Sequence, residues 1–435
     1  SPEWAGMPAV DRTPLLRGIA EALRERADEL AAIMTTEIGR PLVESRDEVE
    51  WCAACFEYYA EVARSEIGRV IPPIESSQFA VVVKEPHGVV GCIVPWNFPL
   101  LLLSWKLAPA LAAGNTAVVK PSELTPLSTL ALADVFSDLP DGSVNLLAGA
   151  GDVGSGLSEH HGVDCIAFTG SVATGKKVGI ACAARNARAN LEMGGKDPFI
   201  VCSDIGPEAV EIAAKGGAWA AYLNAGQVCT SSERFYVMED IFDDYVSAFL
   251  DFTSTLKVGD PLDPATDIGP MVSAGQRAKA WAQVESAQEA GAELLTGGGD
   301  AGMPCGHYLE PCVLTGVPET ADLLVEETFG PIAPIVPVVD LDEAIAKANS
   351  LDFGLGANIY TRDLNKAIRC LKEVRAGSVW INDPLTDNDA GPFGGFKNSG
   401  IGRELGTEGL DAFREAKHVH MDSVIEVKDW WYPYG

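Results

Sequence analysis

Cys229 lies in Asn224-Ala-Gly226-Gln227-Val-Cys229-Thr-Ser-Ser, between an alanine-rich helical pattern and a predicted strand, so it stands on a loop. A loop thiol can act as a nucleophile once deprotonated, or it can be a small buried hydrophobe. Glu192, in Leu191-Glu-Met-Gly-Gly195-Lys-Asp-Pro, is an acid among apolar residues and glycines just before a buried strand. Desolvation there would raise its pKa and make it a general base near neutrality; the alternative is a loop carboxylate. Other segments carry residue types that hold phosphates and sugars. Ile166-Ala-Phe168-Thr169-Gly170-Ser171 runs a strand into a Gly-Ser turn, either an anion site at a helix N-terminus or a capped β-α turn. Lys120 and Glu123 stand just past a strand's carboxyl end, where open α/β sheets bind ligands. A carboxylate accepting ribose hydroxyls there would favour NAD over NADP, and both charges could equally be solvated. Gly149-Ala-Gly151-Asp-Val-Gly154 fits G-x-G-x-x-G, but the acidic residue expected about 20 positions later is absent.

Late in the chain, Glu326-Glu327-Thr-Phe329-Gly-Pro and the glycine-rich run Gly391 to Gly406 embed charges in backbone suited to close approach of a ligand. Cys52-x-x-Cys55 falls inside a helical pattern with no second pair nearby, which favours packing over zinc or redox chemistry. The six histidines show no metal spacing, so no metal is assigned.

These residues need elements to position them. Thr13-Pro14 predicts an N-cap and first turn, and apolar residues at a 3.6 period carry one long amphipathic helix to Gly39-Arg40-Pro41. A second helix is predicted over 45–64 and a strand near 79–85. From there short apolar strands alternate with helices: strands over 89–94, 116–120, 144–147 and 164–168, helices over 100–113 and 125–136 and from Ser171. That alternation predicts a parallel sheet covered on both faces, and the style repeats after Leu191 as a second α/β domain.

The 435 residues suffice for two or three domains. Lys and Arg number 32 against 62 Asp and Glu, a formal charge of −30 that repels phosphate backbones and anionic lipid, so neither nucleic acid nor membrane is expected as a partner. The longest apolar tract, Phe98 to Gly114, is broken by Ser104 and Lys106 and reads as a buried helix rather than a membrane span. Ten scattered cysteines and the absence of a signal peptide predict a reducing cytoplasm. The sequence opens at Ser1 rather than Met, and residues are expected upstream of it.

Across nearly its whole length the chain resembles the NAD(P)-dependent aldehyde dehydrogenase superfamily. The resemblance rests on ordered motifs: Pro95-Trp-Asn-Phe-Pro99, Gly114 to Glu123, Phe168-Thr-Gly-Ser171, Leu191-Glu-Met-Gly-Gly-Lys196, Gly226-Gln-Val-Cys229, Glu327-Thr-Phe-Gly-Pro331 and Pro392-Phe-Gly-Gly-Phe-Lys397. It implies a Rossmann-type cofactor domain (1–66 and 87–194), an α/β catalytic domain (195–412) and an oligomerisation β-flap (67–86 and 413–435), in a homodimer or homotetramer. The strands that the family usually carries before the first helix are not in this sequence.

The resemblance also implies roles. Cys229 would be the nucleophile, Asn97 with the Cys229 N–H the oxyanion hole, and Glu192 the base, joined to Lys106 and Glu404 as a proton path. Lys120 and Glu123 would hold the adenosine ribose, Gly170 and Ser171 would lie by the pyrophosphate, Glu327 and Phe329 would contact the nicotinamide end, and Trp96, Gly151, Phe168 and Gln276 would also neighbour the cofactor. The implied reaction is NAD-dependent oxidation of a small aldehyde to the acid, with NADP as the second choice. Relatives that pass the acyl group to coenzyme A lack the glutamate, and a noncatalytic scaffold would lose the nucleophile; Glu192 and Cys229 argue against both. Leu101, Trp105, Tyr222, Leu223, Thr230 and Phe393 suggest an apolar tunnel, and the loop before Pro392, with Asp387 and Asp389, stands at its mouth. Those acids favour an aminoaldehyde or betaine-type aldehyde, or are solvated charges around a tunnel of broad range.

Overall fold

The computed structural model describes residues 2–65 and 68–434. The expected boundary at 66/67 lies outside the described residues. Two parallel sheets form the body. The first has strand order Gly400–Ile401, Arg188–Met193, Cys165–Gly170, Val89–Ile93, Thr116–Lys120, Val144–Leu146, parallel except for the antiparallel edge Gly400–Ile401. Its order reverses between Val89–Ile93 and Cys165–Gly170, so the chain leaves these neighbouring strands in opposite directions and opens a crevice at their carboxyl ends. The helix Pro99–Ala113 follows the first of them and is buried almost throughout, Ser104 and Lys106 included.

The second sheet has order Glu293–Thr296, Cys312–Thr315, Ile332–Val338, Ser232–Met238, Asp197–Val201, Gly356–Tyr360, Ser378–Ile381, again parallel but for the Glu293–Thr296 edge. The central strands Asp197–Val201, Ser232–Met238 and Gly356–Tyr360 are buried on both faces, which explains why they read without alternation. A third, antiparallel sheet joins Gly68–Ile71, Gln78–Pro86 and Arg414–Asp422. Leu405, Leu410 and Phe413 pack with the core of the first sheet, so the chain returns to that sheet before entering the third.

The N-terminal reading needs correction. The helix starts at Ala9, not at Thr13, and Pro14 lies inside it. The Thr13 hydroxyl caps nothing; it donates toward Ala9 O at 3.0 Å and Ala60 O at 3.1 Å, fastening the helix to Leu42–Val62. The single long helix is in fact two, Ala9–Glu25 and Ala27–Ile38, broken at Arg26 (φ −105°, ψ 15°), whose guanidinium is drawn out to Glu29 and Ala131 O. The 125–136 helix ends as an α-helix at Leu130 and tightens to a 3-10 turn over Ala131–Phe136. No described helix is long and apolar enough to cross a membrane.

Candidate active site

Two concavities meet at Cys229. A funnel of about 900 Å³ is lined by Leu101, Leu102, Trp105, Leu223, Thr230, Phe393 and the loop 382–389. A cleft of about 160 Å³ is lined by Trp96, Asn97, Thr169, Gly170, Ser171, Glu192, Gln276, Lys279, Glu327 and Phe329. Cys229 lines both. The cleft sits at the crevice where the first sheet reverses its order, with Trp96 and Asn97 following one strand and Gly170 and Ser171 ending the other.

The loop carrying the thiol is tightly determined. Asn224 (φ 50°), Ala225 (φ 54°) and Gly226 (φ 72°) are successive left-handed residues, a costly run for the two that are not glycine. At Gly226 a Cβ would meet Gly330 O at 2.2 Å, so only glycine lets this loop pass so close to the segment after Phe329. Hydrogen bonds hold the bend: Asn224 N donates to Glu44 Oε2 (3.1 Å), Asn224 Nδ2 to Asn97 O (3.1 Å), Gln227 Nε2 to Asn224 O (2.9 Å) and Val272 N to Gln227 Oε1 (3.0 Å). Asn97 Nδ2 donates to Gln227 O at 3.0 Å, which places the amide beside the thiol's own loop. Behind Asn97, the buried Arg40–Glu48 pair supports the turn: Arg40 donates to Asn97 O at 3.3 Å, and Glu48 Oε1 accepts Leu100 N and Leu101 N at 2.8 and 2.9 Å, capping the helix Pro99–Ala113.

Electrostatics favour the protonated forms of the resting groups. Glu192 is 2% exposed and neither carboxylate oxygen has a hydrogen-bond partner. Burial, then repulsion from Glu404, pushes its carboxyl well above the usual range, opposed by Lys106 and the nearby Thr169. Burial, then Glu192 and Asp387, likewise pushes the Cys229 thiol up. Lys106 Nζ bonds Glu404 Oε1 (2.6 Å), Thr169 Oγ1 (2.6 Å) and Leu102 O (3.1 Å), so these buried groups form one network against Glu192. Glu327 is pushed to about 7, chiefly by burial and by Glu233. At Gly194 a Cβ would fall 2.0 Å from Glu327 Oε1, which is why a glycine faces that carboxylate. Phe329 stands edge-on to Trp96 at 5.4 Å, and Gln276 Nε2 donates to Phe329 O at 2.9 Å.

Not every expected residue reaches the site. Tyr222 lies in the core of the second sheet instead of the tunnel: it ends the helix Pro207–Tyr222 with its hydroxyl donating to Cys312 O (3.1 Å) and its ring against Phe249. Its helix position turns it inward, while Leu223, one residue on, faces the funnel. Phe168 is buried under the helix Val172–Ala184 and walls Gly170 rather than lining the cleft. Gly151, exposed at the start of the helix Gly151–Glu159, and Lys120 and Glu123, which pair with each other at 3.3 Å, stand beyond this narrow cleft, farther along the carboxyl ends of the same sheet, where the adenosine half of a dinucleotide would extend. Sequence reasoning missed Arg40, Glu44, Glu48, Gln227, Thr169 and Lys279. Of these Gln227 and Thr169 sat in motifs named for their chemistry; the others became visible through long-range contacts. No group of His, Cys, Asp or Glu among the described residues could hold a metal ion.

Comparison with known proteins gives the chain's family. Residues 1–419 match the family described as "Aldehyde dehydrogenase family". A peroxisomal aminoaldehyde dehydrogenase 1 of Malus domestica is 39% identical over 424 residues, 96% of this chain and 84% of that protein. A betaine aldehyde dehydrogenase of Bacillus subtilis is 37% identical over 99% of this chain and 88% of its own length. The crystal structure of a betaine aldehyde dehydrogenase from Staphylococcus aureus in complex with NAD+ is 35% identical, covers 99% of this chain and 88% of that one, and superposes with a TM-score of 0.95. With a thiol loop and an acid brought together at the reversal of a parallel sheet, the chain belongs to the aldehyde dehydrogenase family and is an oxidoreductase.

Proposed function

We propose that this enzyme oxidises a cationic aldehyde to its carboxylic acid with NAD, through a thioester on Cys229. The observation that carries the reading is that one thiol lines both the wide funnel and the narrow cleft, so an aldehyde in the first and a nicotinamide in the second would meet at it. The cleft residues suit a dinucleotide. Ser171 caps a 13-residue helix whose N-terminus faces the crevice, Lys279 supplies a cation, and the carboxylate of Glu192 is buried with no partner. Bound there, NAD would supply the hydride acceptor.

The chain's own groups do the rest. Cys229 adds to the carbonyl carbon, its proton leaving toward Glu192 or water. Asn97 Nδ2 spends one N–H on Gln227 O, and its second N–H supports the developing oxyanion together with the Cys229 backbone N–H. Once the thiohemiacetal is oxidised, Glu192 takes a proton from the water that cleaves the thioester. Lys106 and Glu404 stand behind Glu192 as the route by which that proton leaves. Because burial favours the protonated forms of Glu192 and Cys229, and each acts in its deprotonated form, turnover is expected to rise with pH.

The funnel supports a cationic substrate. Asp387 keeps accessible surface, but that surface opens into the funnel; burial there and the nearby Asp389 push its carboxyl to about 7. Trp105, Phe98 and Phe393 add aromatic faces suited to an ammonium group. The relatives named for aminoaldehydes and betaine aldehyde support the same class. Glu123, held ionised by its own N–H and Lys120, argues for NAD over NADP. Residues 1–66 and 87–194 are read as the cofactor domain, 195–412 as the catalytic domain, and 67–86 with 413–435 as oligomerisation segments of a homodimer or homotetramer. Exposed Val70, Phe79 and Met421 on the third sheet support that last role. Ten free cysteines support a reducing compartment such as the cytoplasm.

The test is NADH formation with a panel of neutral, cationic and anionic aldehydes, with NADP and coenzyme A in parallel. The expected result is highest kcat/KM for amino- or trimethylammonio-aldehydes with NAD and no dependence on coenzyme A. Equal rates with neutral isosteres would remove the cationic assignment.

A further inference from the structure

We propose that Glu233, backed by Lys196, is the positioning residue that sets the loop Glu327–Phe329 at the cofactor cleft; the inference rests on reading that cleft as the nicotinamide site. Two consecutive backbone N–H groups converge on one carboxylate: Thr328 N donates to Glu233 Oε2 and Phe329 N to Glu233 Oε1, each at 2.8 Å. Successive amides gather around an anion in this way when the backbone turns into the left-handed region, and Phe329 has φ 57°. A phenylalanine holds such a conformation only where its surroundings over-determine it.

The surroundings here are polar and dry. Lys196 Nζ donates to Glu233 Oε2 at 2.6 Å and to Thr328 Oγ1 at 2.8 Å, and Thr328 Oγ1 donates on to Gln283 Oε1 at 2.6 Å. Lys196, Glu233 and Thr328 are each no more than 2% exposed. A buried ion pair is a poor way to gain stability, since an apolar pair of the same volume would serve as well. It is, however, a precise way to hold two N–H groups in one orientation. The pair also links the parts of the site in sequence. Lys196 lies four residues after Glu192 and Glu233 four after Cys229. Both base and nucleophile are therefore tied to the loop that presents Glu327 beside Gly194 and Phe329 against Trp96.

The experiment is hydrogen exchange on the full chain, read on peptides spanning 325–332, with NAD titration and the deuterium isotope effect of a C1-labelled aldehyde. Glu233→Gln keeps the shape but turns an amide NH2 toward one of the two N–H donors. It is expected to cost the Thr328 and Phe329 amides about 10-fold or more of their protection and to weaken NAD binding by about 10-fold, with exchange in the strands Asp197–Val201 and Ser232–Met238 unchanged. Lys196→Arg should retain most of the protection and Lys196→Met should lose it, which gives a second route if Glu233→Gln folds poorly. Unchanged protection at 328 and 329 overturns the proposal. So does a loosened loop with NAD affinity and isotope effect at wild-type values, which would leave the dehydrogenase reading standing. A wild-type chain that binds no NAD removes the cleft reading itself, and this inference with it.

Discussion

The narrow cleft behind Cys229 and the wide funnel in front of it are built differently. The cleft takes its shape from backbone: strand ends at a sheet reversal, a helix N-terminus, and loops in left-handed conformations that buried carboxylates and amides hold in place. The funnel takes its walls from side chains on separate elements, with a loop of acids at its mouth. A wall made of backbone changes little when single residues change, whereas a side-chain wall is remade by each substitution. On the proposed reading, the reaction belongs to the cleft and the choice of aldehyde to the funnel.

The comparison can be broken at either end. Glu192→Gln, on the cleft side, should have the largest effect: one equivalent of NADH per site is released in a burst, and the following steady rate falls by about 100- to 10,000-fold. A steady rate near wild type would take the base role from Glu192. Asn97→Ala should lower kcat by about 100-fold or more, on the order of 3 kcal/mol, with a smaller change in KM. Asp387→Asn, on the funnel side, should leave kcat for neutral aldehydes unaltered and reduce the preference for cationic ones by about 10-fold. Because burial pushes the Asp387 carboxyl up to about 7, that preference should grow as pH rises through this value in the wild type, as the carboxyl gains its charge, and should be flat in the variant. The smallest effect is expected for Tyr222→Phe, which removes a buried hydrogen bond to Cys312 O: thermal unfolding should show a loss of about 1 kcal/mol with an unaltered aldehyde profile. A shifted profile would return Tyr222 to the funnel.

Much of this was legible in the residues. Short apolar strands alternating with helices determined two parallel sheets, and the strand limits fell within a few residues because a strand buried on both faces leaves an unbroken apolar run in the sequence. The N-terminal helices were less legible. Proline at position 14 marks a helix start by local rules, yet the turn before it is held by Arg12 donating to Ala112 O and Thr13 to Ala60 O, contacts with distant elements that start the helix at Ala9.

By itself the sequence determined the fold class, the loop that carries Cys229, the acid among glycines at 192 and the net charge of −30, because periodicity, turn residues and net charge are local or additive properties. Tertiary structure alone decided that Arg40 and Glu48 support Asn97, that Lys196 and Glu233 hold the Phe329 loop, that Tyr222 turns away from the funnel, and that Glu192 lacks any partner. Each of these depends on which distant groups share a dry volume, and desolvation and hydrogen-bond satisfaction are set by that volume rather than by neighbours along the chain.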